Sequence, residues 1–292
     1  MIVLVFLAQT LRIAVPYLFA ATGGVMTERA GLIGLGLEGY MLGGAFCGAL
    51  ASYYSGSAWI GLLGAIAGGV GLALLYAVVS IRFRGDQVVV GVAVNLLVTG
   101  ATEFFLRLAF HSSANSPRIP SFSVERAGAG AALVGNPLIW IGIVTVFAIG
   151  WLLYRTPFGL RVRAVGEHPA AAAAVGISVE RVRYVSAALS GLLAALGGAY
   201  LVFDQHQFSA EMTAGRGFIA LAATIFGRWD PYRAALACLL FAAAESVEIQ
   251  LQSVQLIPSQ FVEMIPYVLT IVALAGVVGR AIPPSALGRD AG

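Results

Sequence analysis

The sequence predicts an all-α fold, a polytopic integral membrane helix bundle of about nine transmembrane segments, one of them short or broken, with an extra short helix in a cytoplasmic loop. Three observations predict it. Of 292 residues, 59% are hydrophobic and 11% are charged, against about 25% charged in an ordinary soluble domain. Apolar runs of about 20 residues, the length that one bilayer crossing requires, recur along the whole sequence, and no polar tract is large enough for a separate soluble domain. Basic residues are unevenly shared between alternate connections. Residues 1–292 are therefore read as a single transmembrane domain.

The spans fall near 3–22, 31–52, 58–80, 87–108, 136–154, 184–203, 215–227, 234–252 and 262–279. The opening "MIVLVFLAQTLRIAVPYLFAA" lacks a basic leading region and Arg12 interrupts its apolar stretch, so it is read as a retained first helix and not a cleaved signal. The seventh, "GRGFIALAATIFG", would cover only ~20 Å of a ~30 Å core at the rise of an α-helix. It is either a half-length helix or a re-entrant segment, and the latter requires protein or a water-filled cavity over its ends. Gly39 and Gly43, Gly44 and Gly48, and Gly64 and Gly68 recur at the spacing that lets helices approach closely, which suits a tightly packed bundle.

Arginine placement sets the orientation, because cytoplasmic loops hold the excess of basic residues. With the N-terminus outside and every segment crossing, Arg29, Arg82, Arg84, Arg155, Arg161, Arg163, Arg181, Arg183, Arg228, Arg233, Arg280 and Arg289 lie inside. Arg107, Arg118, Arg126 and Arg216 lie outside, and Arg12 within a span. A re-entrant seventh segment would move Arg228, Arg233, Arg280 and Arg289 outside and erase the asymmetry, so the C-terminus is placed in the cytoplasm. The Ser-, Pro- and Gly-rich loop 109–135 comes out external.

Several chemistries are excluded by composition. All 17 basic residues are arginine, and without lysine there is neither a complete phosphate-binding loop of the GxxxxGK[ST] type nor a Schiff base. Cys47 and Cys238 are far apart in apolar segments and read as small core residues. His111, His168 and His206 are scattered over loops, with no HExxH, so no catalytic or metal-binding residue is assigned.

The connection 155–183 carries arginines around "GEHPAAAAAVGI". Pro169 suits a first helical turn, the alanines after it favour helix, and Gly176 suits a helix end, predicting a short cytoplasmic helix over 169–175. Its small face suits either the lipid headgroup region or a groove on another protein. Within the spans, Asn95, Thr99, Thr102 and Glu103 share one helix face, as do Glu245, Glu248 and Gln252. Intramembrane polar residues usually face a cavity or a partner. Alternatives stay open: Asn95 satisfies a neighbouring backbone or lines a path, Glu103, Glu248 and Gln252 line it or sit at the outer interface, and Glu38 braces a glycine-broken helix or touches ligand. Neither stripe carries a basic residue to pair an anion, which fits a neutral polar solute.

"GEHPAAAAAVGI" resembles the coupling-loop motif of ATP-binding cassette (ABC) importer permeases. "ERAGLIGLGLEGYMLGGAF", "RGDQVVVGVAVNLL" and "MTAGRGFIALAATIFGRWDP", in that family's order, resemble the branch for nucleosides and simple sugars, related to branched-chain amino acid permeases. The resemblance implies that Arg163, Gly166, Glu167, His168, Pro169, Ala171, Ala172, Gly176 and Ile177 form the coupling helix against an ATPase subunit, which holds the ATP and Mg while this chain binds no cofactor. His168 stands where the family has asparagine, Gly34 likewise, and Tyr40 where methionine is common. The residues read as the substrate path are Glu38, Asn95, Thr99, Glu103, Glu245 and Glu248. Further implied partners are a second permease subunit of different sequence, an extracytoplasmic substrate-binding protein and membrane lipid in a prokaryotic cell membrane, with no nucleic acid. A branched-chain amino acid permease is one alternative, an ion-coupled secondary transporter another, though no convincing internal repeat supports it. An intramembrane enzyme lacks its side chains.

Overall fold

A computed structural model describes residues 2–112, 114–122, 136–254 and 282–289. Among them the chain is helical, with a single isolated bridge pairing Asn115 and Ser209. The helices are α1 (Ile2–Arg29), α2 (Leu37–Ser55), α3 (Ala58–Ala77), which runs on through a π-helical turn (Val78–Arg82), α4 (Gln87–Phe110), α5 (Pro137–Arg155), α6 (Pro157–Glu167), α7 (Pro169–Ala174), α8 (Val179–Gln205), α9 (Arg216–Phe226) and α10 (Pro231–Val254).

Local chemistry sets the helix starts. Asp86 caps α4 by accepting from the N–H groups of Val88 and Val89 at 2.9 and 3.0 Å, and Asp230 does the same for Tyr232 and Arg233 at the start of α10. Asn136 caps α5 and Thr156 caps α6, each followed by proline at the first helical position, where the missing N–H leaves no bond unmade. The second apolar run begins at 31 but its helix begins at Leu37. The glycines of "GLIGLGLEG" keep the run apolar while weakening its helix propensity.

Among the described residues, five helices are long and apolar enough to cross a membrane: α3 with its π-helical extension, α4, α5, α8 and α10. The helix at the seventh run, α9, has 11 residues. The ninth expected span, 262–279, and most of the loop 109–135 lie outside the described residues.

Burial separates centre from edge. The apolar stretch of α8 is 78% buried and that of α4 only 22%, so α8 forms the middle of the bundle and α4 its flank. Glycine makes the close approaches around α8. A Cβ at Gly198 would fall 2.0 Å from the Met41 carbonyl oxygen, and one at Gly44 would fall 2.6 Å from the Ala195 Cβ. Gly48, Gly61, Gly64 and Gly68 similarly let α2 and α3 meet backbone to backbone.

Candidate functional site

One polar assembly surrounds the short helix α7. Gly166, near the end of α6, lies against α1 so closely that a Cβ would stand 2.0 Å from the Arg29 carbonyl oxygen. The chain then turns at His168 and Pro169 opens α7, whose first bond runs from the Ala172 N–H to the His168 carbonyl at 3.0 Å. Its end is a Schellman motif: the Ile177 N–H donates to the Ala172 carbonyl at 3.0 Å, and the Gly176 N–H donates to the Ala173 carbonyl at 2.9 Å. That geometry requires a left-handed residue, and Gly176 supplies φ +84°.

Ala172 is buried and Ile177 packs against the core, which seats α7. Ala170, Ala171, Ala173, Ala174 and Val175 face outward with Glu167 and His168 at one end, and Val175 is 77% exposed. This leaves a small apolar face held rigidly at both ends. Arg163 sits on α6 with its guanidinium over the Tyr154 ring, 5.4 Å from the centroid.

The segment 282–289 folds back on this assembly. Ser285 Oγ donates to the Glu167 carbonyl at 2.6 Å and lies 3.0 Å from Glu167 Oε2, and the Ala286 N–H donates to the Gly166 carbonyl at 2.9 Å. The Gly288 N–H reaches the Gly31 carbonyl at 3.2 Å, while Arg183 donates to the carbonyls of Ala30 and Arg289. Close by, buried Glu28 accepts from the Gly34 N–H and the Trp229 indole N–H, and Arg29 donates to the Trp229 carbonyl at 2.8 Å. The α9–α10 turn is thereby tied to the end of α1.

A second assembly gathers Glu38, Asn95 and Glu245. Asn95 on α4 accepts from the Gly39 N–H and donates to the Leu35 carbonyl, both at 2.8 Å, bridging the first turn of α2. Glu38 caps α9 from another helix, accepting from the Thr213 hydroxyl at 2.6 Å, the Gly215 N–H at 2.9 Å and the Gly217 N–H at 2.6 Å. Helix N-termini leave N–H groups unpaired and carry partial positive charge, so a carboxylate is the natural partner. Arg216, the first residue of α9, donates to Glu245 Oε1 on α10 at 2.8 Å, and Tyr17 on α1 donates to the other carboxylate oxygen.

The other path candidates lie further along the same two helices, α4 and α10. Thr99 donates to the Asn95 carbonyl at 3.1 Å, and Glu103 is half-buried further along α4. Glu248 accepts from Gln252 at 3.2 Å. Sequence reasoning missed Tyr17, Arg216 and Glu28. The absence of a basic residue along either stripe concealed that α9 brings Arg216 to Glu245. A charge beginning the short seventh segment was the one available signal.

Helices long and apolar enough to cross a bilayer, with Glu38 and Glu245 holding the short helix α9 among them, define an integral membrane protein. A family profile described as branched-chain amino acid transport system / permease component matches residues 6–274, and the chain belongs to that family. It is 39% identical to the guanosine ABC transporter permease protein NupQ of Bacillus subtilis, covering 97% of this chain and 95% of that one. It is 35% identical to the nucleoside ABC transporter permease protein NupC of Lactococcus lactis over the same shares. It is also 33% identical to the putative glucose ABC transporter permease protein TsgC13 of Haloferax volcanii, over 86% of this chain and 78% of that one.

Proposed function

We propose that this chain is the membrane-spanning subunit of an ABC importer for nucleosides, driven by ATP hydrolysis on a separate subunit. The observation that carries the proposal is the near full-length similarity to two permeases named for guanosine and nucleoside transport. The site's chemistry supports it. The exposed face of α7 is small, apolar and fixed by its Schellman end, which suits seating in a protein groove better than inserting among lipids. Its footing on Arg29 through Gly166 offers a route from that groove into α1.

In this reading residues 1–292 form one permease domain with nine crossings in a prokaryotic cell membrane, the N-terminus outside and the C-terminus in the cytoplasm. Loop 155–183 meets the ATPase through Arg163, Gly166, Glu167, His168, Pro169, Ala171, Ala172, Gly176 and Ile177. Loop 109–135 faces a substrate-binding protein, and a second, different permease subunit completes the path. Glu38, Asn95, Thr99, Glu103, Glu245 and Glu248 border it. ATP and Mg stay on the partner subunit.

Co-purification from native membranes followed by an ATPase assay in lipid tests the proposal. Recovery of an ATP-hydrolysing subunit, with activity stimulated by guanosine in the presence of the binding protein, is expected. Stimulation by glucose alone would move the substrate to sugars, as the similarity to TsgC13 would favour. Recovery of the chain alone, with uptake following an ion gradient, would overturn the permease reading.

A further inference from the structure

A cavity of about 360 Å³ opens between the N-terminal half of α1 and the C-terminal end of α8, where the first residue of α9 and Ile249 of α10 also reach it. Its volume falls in the range of small-molecule sites. Gln9, Arg12, Tyr200, Asp204, Gln205 and Arg216 supply its polar wall. None of the path residues read from the sequence lines it.

Charge is balanced within this wall. Arg12 Nη2 lies 2.8 and 2.9 Å from the two carboxylate oxygens of Asp204, and Arg216 is matched by Glu245. Ion pairs on membrane helices persist where they face protein or a water-filled cavity. The Arg12–Asp204 pair is open to solvent, with its side chains 46% and 26% exposed. Each arginine already faces a carboxylate, so an anionic ligand would have to displace a bonded partner, whereas a neutral ligand would not.

A carboxylate offers about four acceptor positions, and Arg12 takes two of those on Asp204. We propose that this cavity is a binding station for the solute in transit, and that it selects compounds bearing a vicinal diol on a ribose ring. The two hydroxyls donate to the remaining Asp204 positions. The planar base lies on the apolar side, beside Pro16 and Leu201, with the amides of Gln9 and Gln205 at its polar edge. The inference rests on the nucleoside reading and deepens it by naming the ribose end as the recognised group. It also excludes nucleotides, whose phosphate finds no uncompensated cation.

The test uses the assembled transporter in proteoliposomes, with Cys47 and Cys238 replaced by alanine and Ile249→Cys introduced at the cavity wall. The probe is a membrane-impermeant thiosulfonate, and uptake of labelled guanosine is measured on the same preparation. Millimolar uridine or guanosine should slow modification at least fivefold. Neither 2′,3′-dideoxyuridine nor guanosine monophosphate should protect, and adding Asp204→Asn should abolish the protection while Asp204→Glu retains part of it. Equal modification rates with and without nucleoside, in a preparation that imports guanosine, would overturn the cavity assignment and leave the substrate reading standing. Protection by dideoxyuridine equal to that by uridine would overturn the diol assignment. A preparation that imports glucose and no nucleoside would overturn the substrate reading itself.

Discussion

Ser285 holds Glu167 at two points: its hydroxyl donates to the Glu167 carbonyl at 2.6 Å and lies 3.0 Å from the carboxylate, which also accepts from the Ser285 N–H at 3.3 Å. Residues 118 positions apart are thus joined where α6 gives way to α7. A loop that transmits force needs a fixed footing, and Ser285 fixes this one beside the face proposed to meet the ATPase. Ser285→Ala should therefore leave ATP hydrolysis near the parent rate and lower guanosine uptake severalfold, raising the ATP hydrolysed per solute moved. Glu167→Ala, which removes the carboxylate partner, should abolish uptake while membrane insertion persists. Unchanged stoichiometry in both variants, measured in proteoliposomes, would remove this contact from coupling.

Gly176 has φ +84° at the end of α7. A side chain there strains the backbone by about 1–2 kcal/mol, and asparagine tolerates the conformation better than β-branched residues. Gly176→Val should lose both ATPase co-purification and uptake, and Gly176→Asn should keep most of each. Quantifying the recovered ATPase subunit checks the order.

Glu38 accepts from two N–H groups and one hydroxyl around the start of α9. Hydrogen bonds to a charged group contribute about 1.5–3 kcal/mol each, so Glu38→Ala should destabilise the detergent-solubilised chain clearly. Glu38→Gln keeps one oxygen acceptor and should lose less. Thermal aggregation midpoints provide the comparison, and equal midpoints for the two variants would contradict the capping role.

Arg216 and Glu245 are a partly buried pair with side chains 23% and 20% exposed. Removing one partner strands the other charge, an effect of about 3–5 kcal/mol in fully buried pairs and smaller where water reaches. Glu245→Ala should be more harmful than the combined Arg216→Ala and Glu245→Ala change. A double-mutant cycle on stability checks the sign of the coupling, and simple additivity would mean the pair is not coupled.

Gly198 leaves 2.0 Å between a Cβ and the Met41 carbonyl oxygen. Gly198→Ala should cost more than the roughly 1–3 kcal/mol of ordinary overpacking, because the obstacle is backbone. Folded yield after solubilisation should fall accordingly, while Gly71→Ala, with nothing within 4 Å of its Cβ, should be neutral.

Hydropathy made most of the helices legible, because a bilayer imposes one length and one composition on a crossing. Helix-end signals located α7, since proline and glycine at 169 and 176 carry local information about helix ends. The late start of α2 was harder to read, as the glycines before Leu37 alter propensity without altering hydropathy. Least legible were pairs made across the bundle. Arg12 and Asp204 are 192 positions apart, Arg216 and Glu245 are 29 apart, and helix periodicity reaches only to neighbouring turns. Arg12 stood out as a charge within a span, but nothing local pointed to Asp204.

The glycine contacts around α8 also set the stiffness of the molecule. Where Gly198 meets the Met41 backbone and Gly44 meets Ala195, no layer of side chains lies between the helices to repack, and a small slip brings backbone against backbone. On the proposed coupling route, a displacement reaching Arg29 through Gly166 would turn α1, α2 and α8 together, like one lever arm. Among the described residues the flank is the least enclosed part, where the apolar stretch of α4 is only 22% buried and meets α2 along one face, at Gly39 and Gly43.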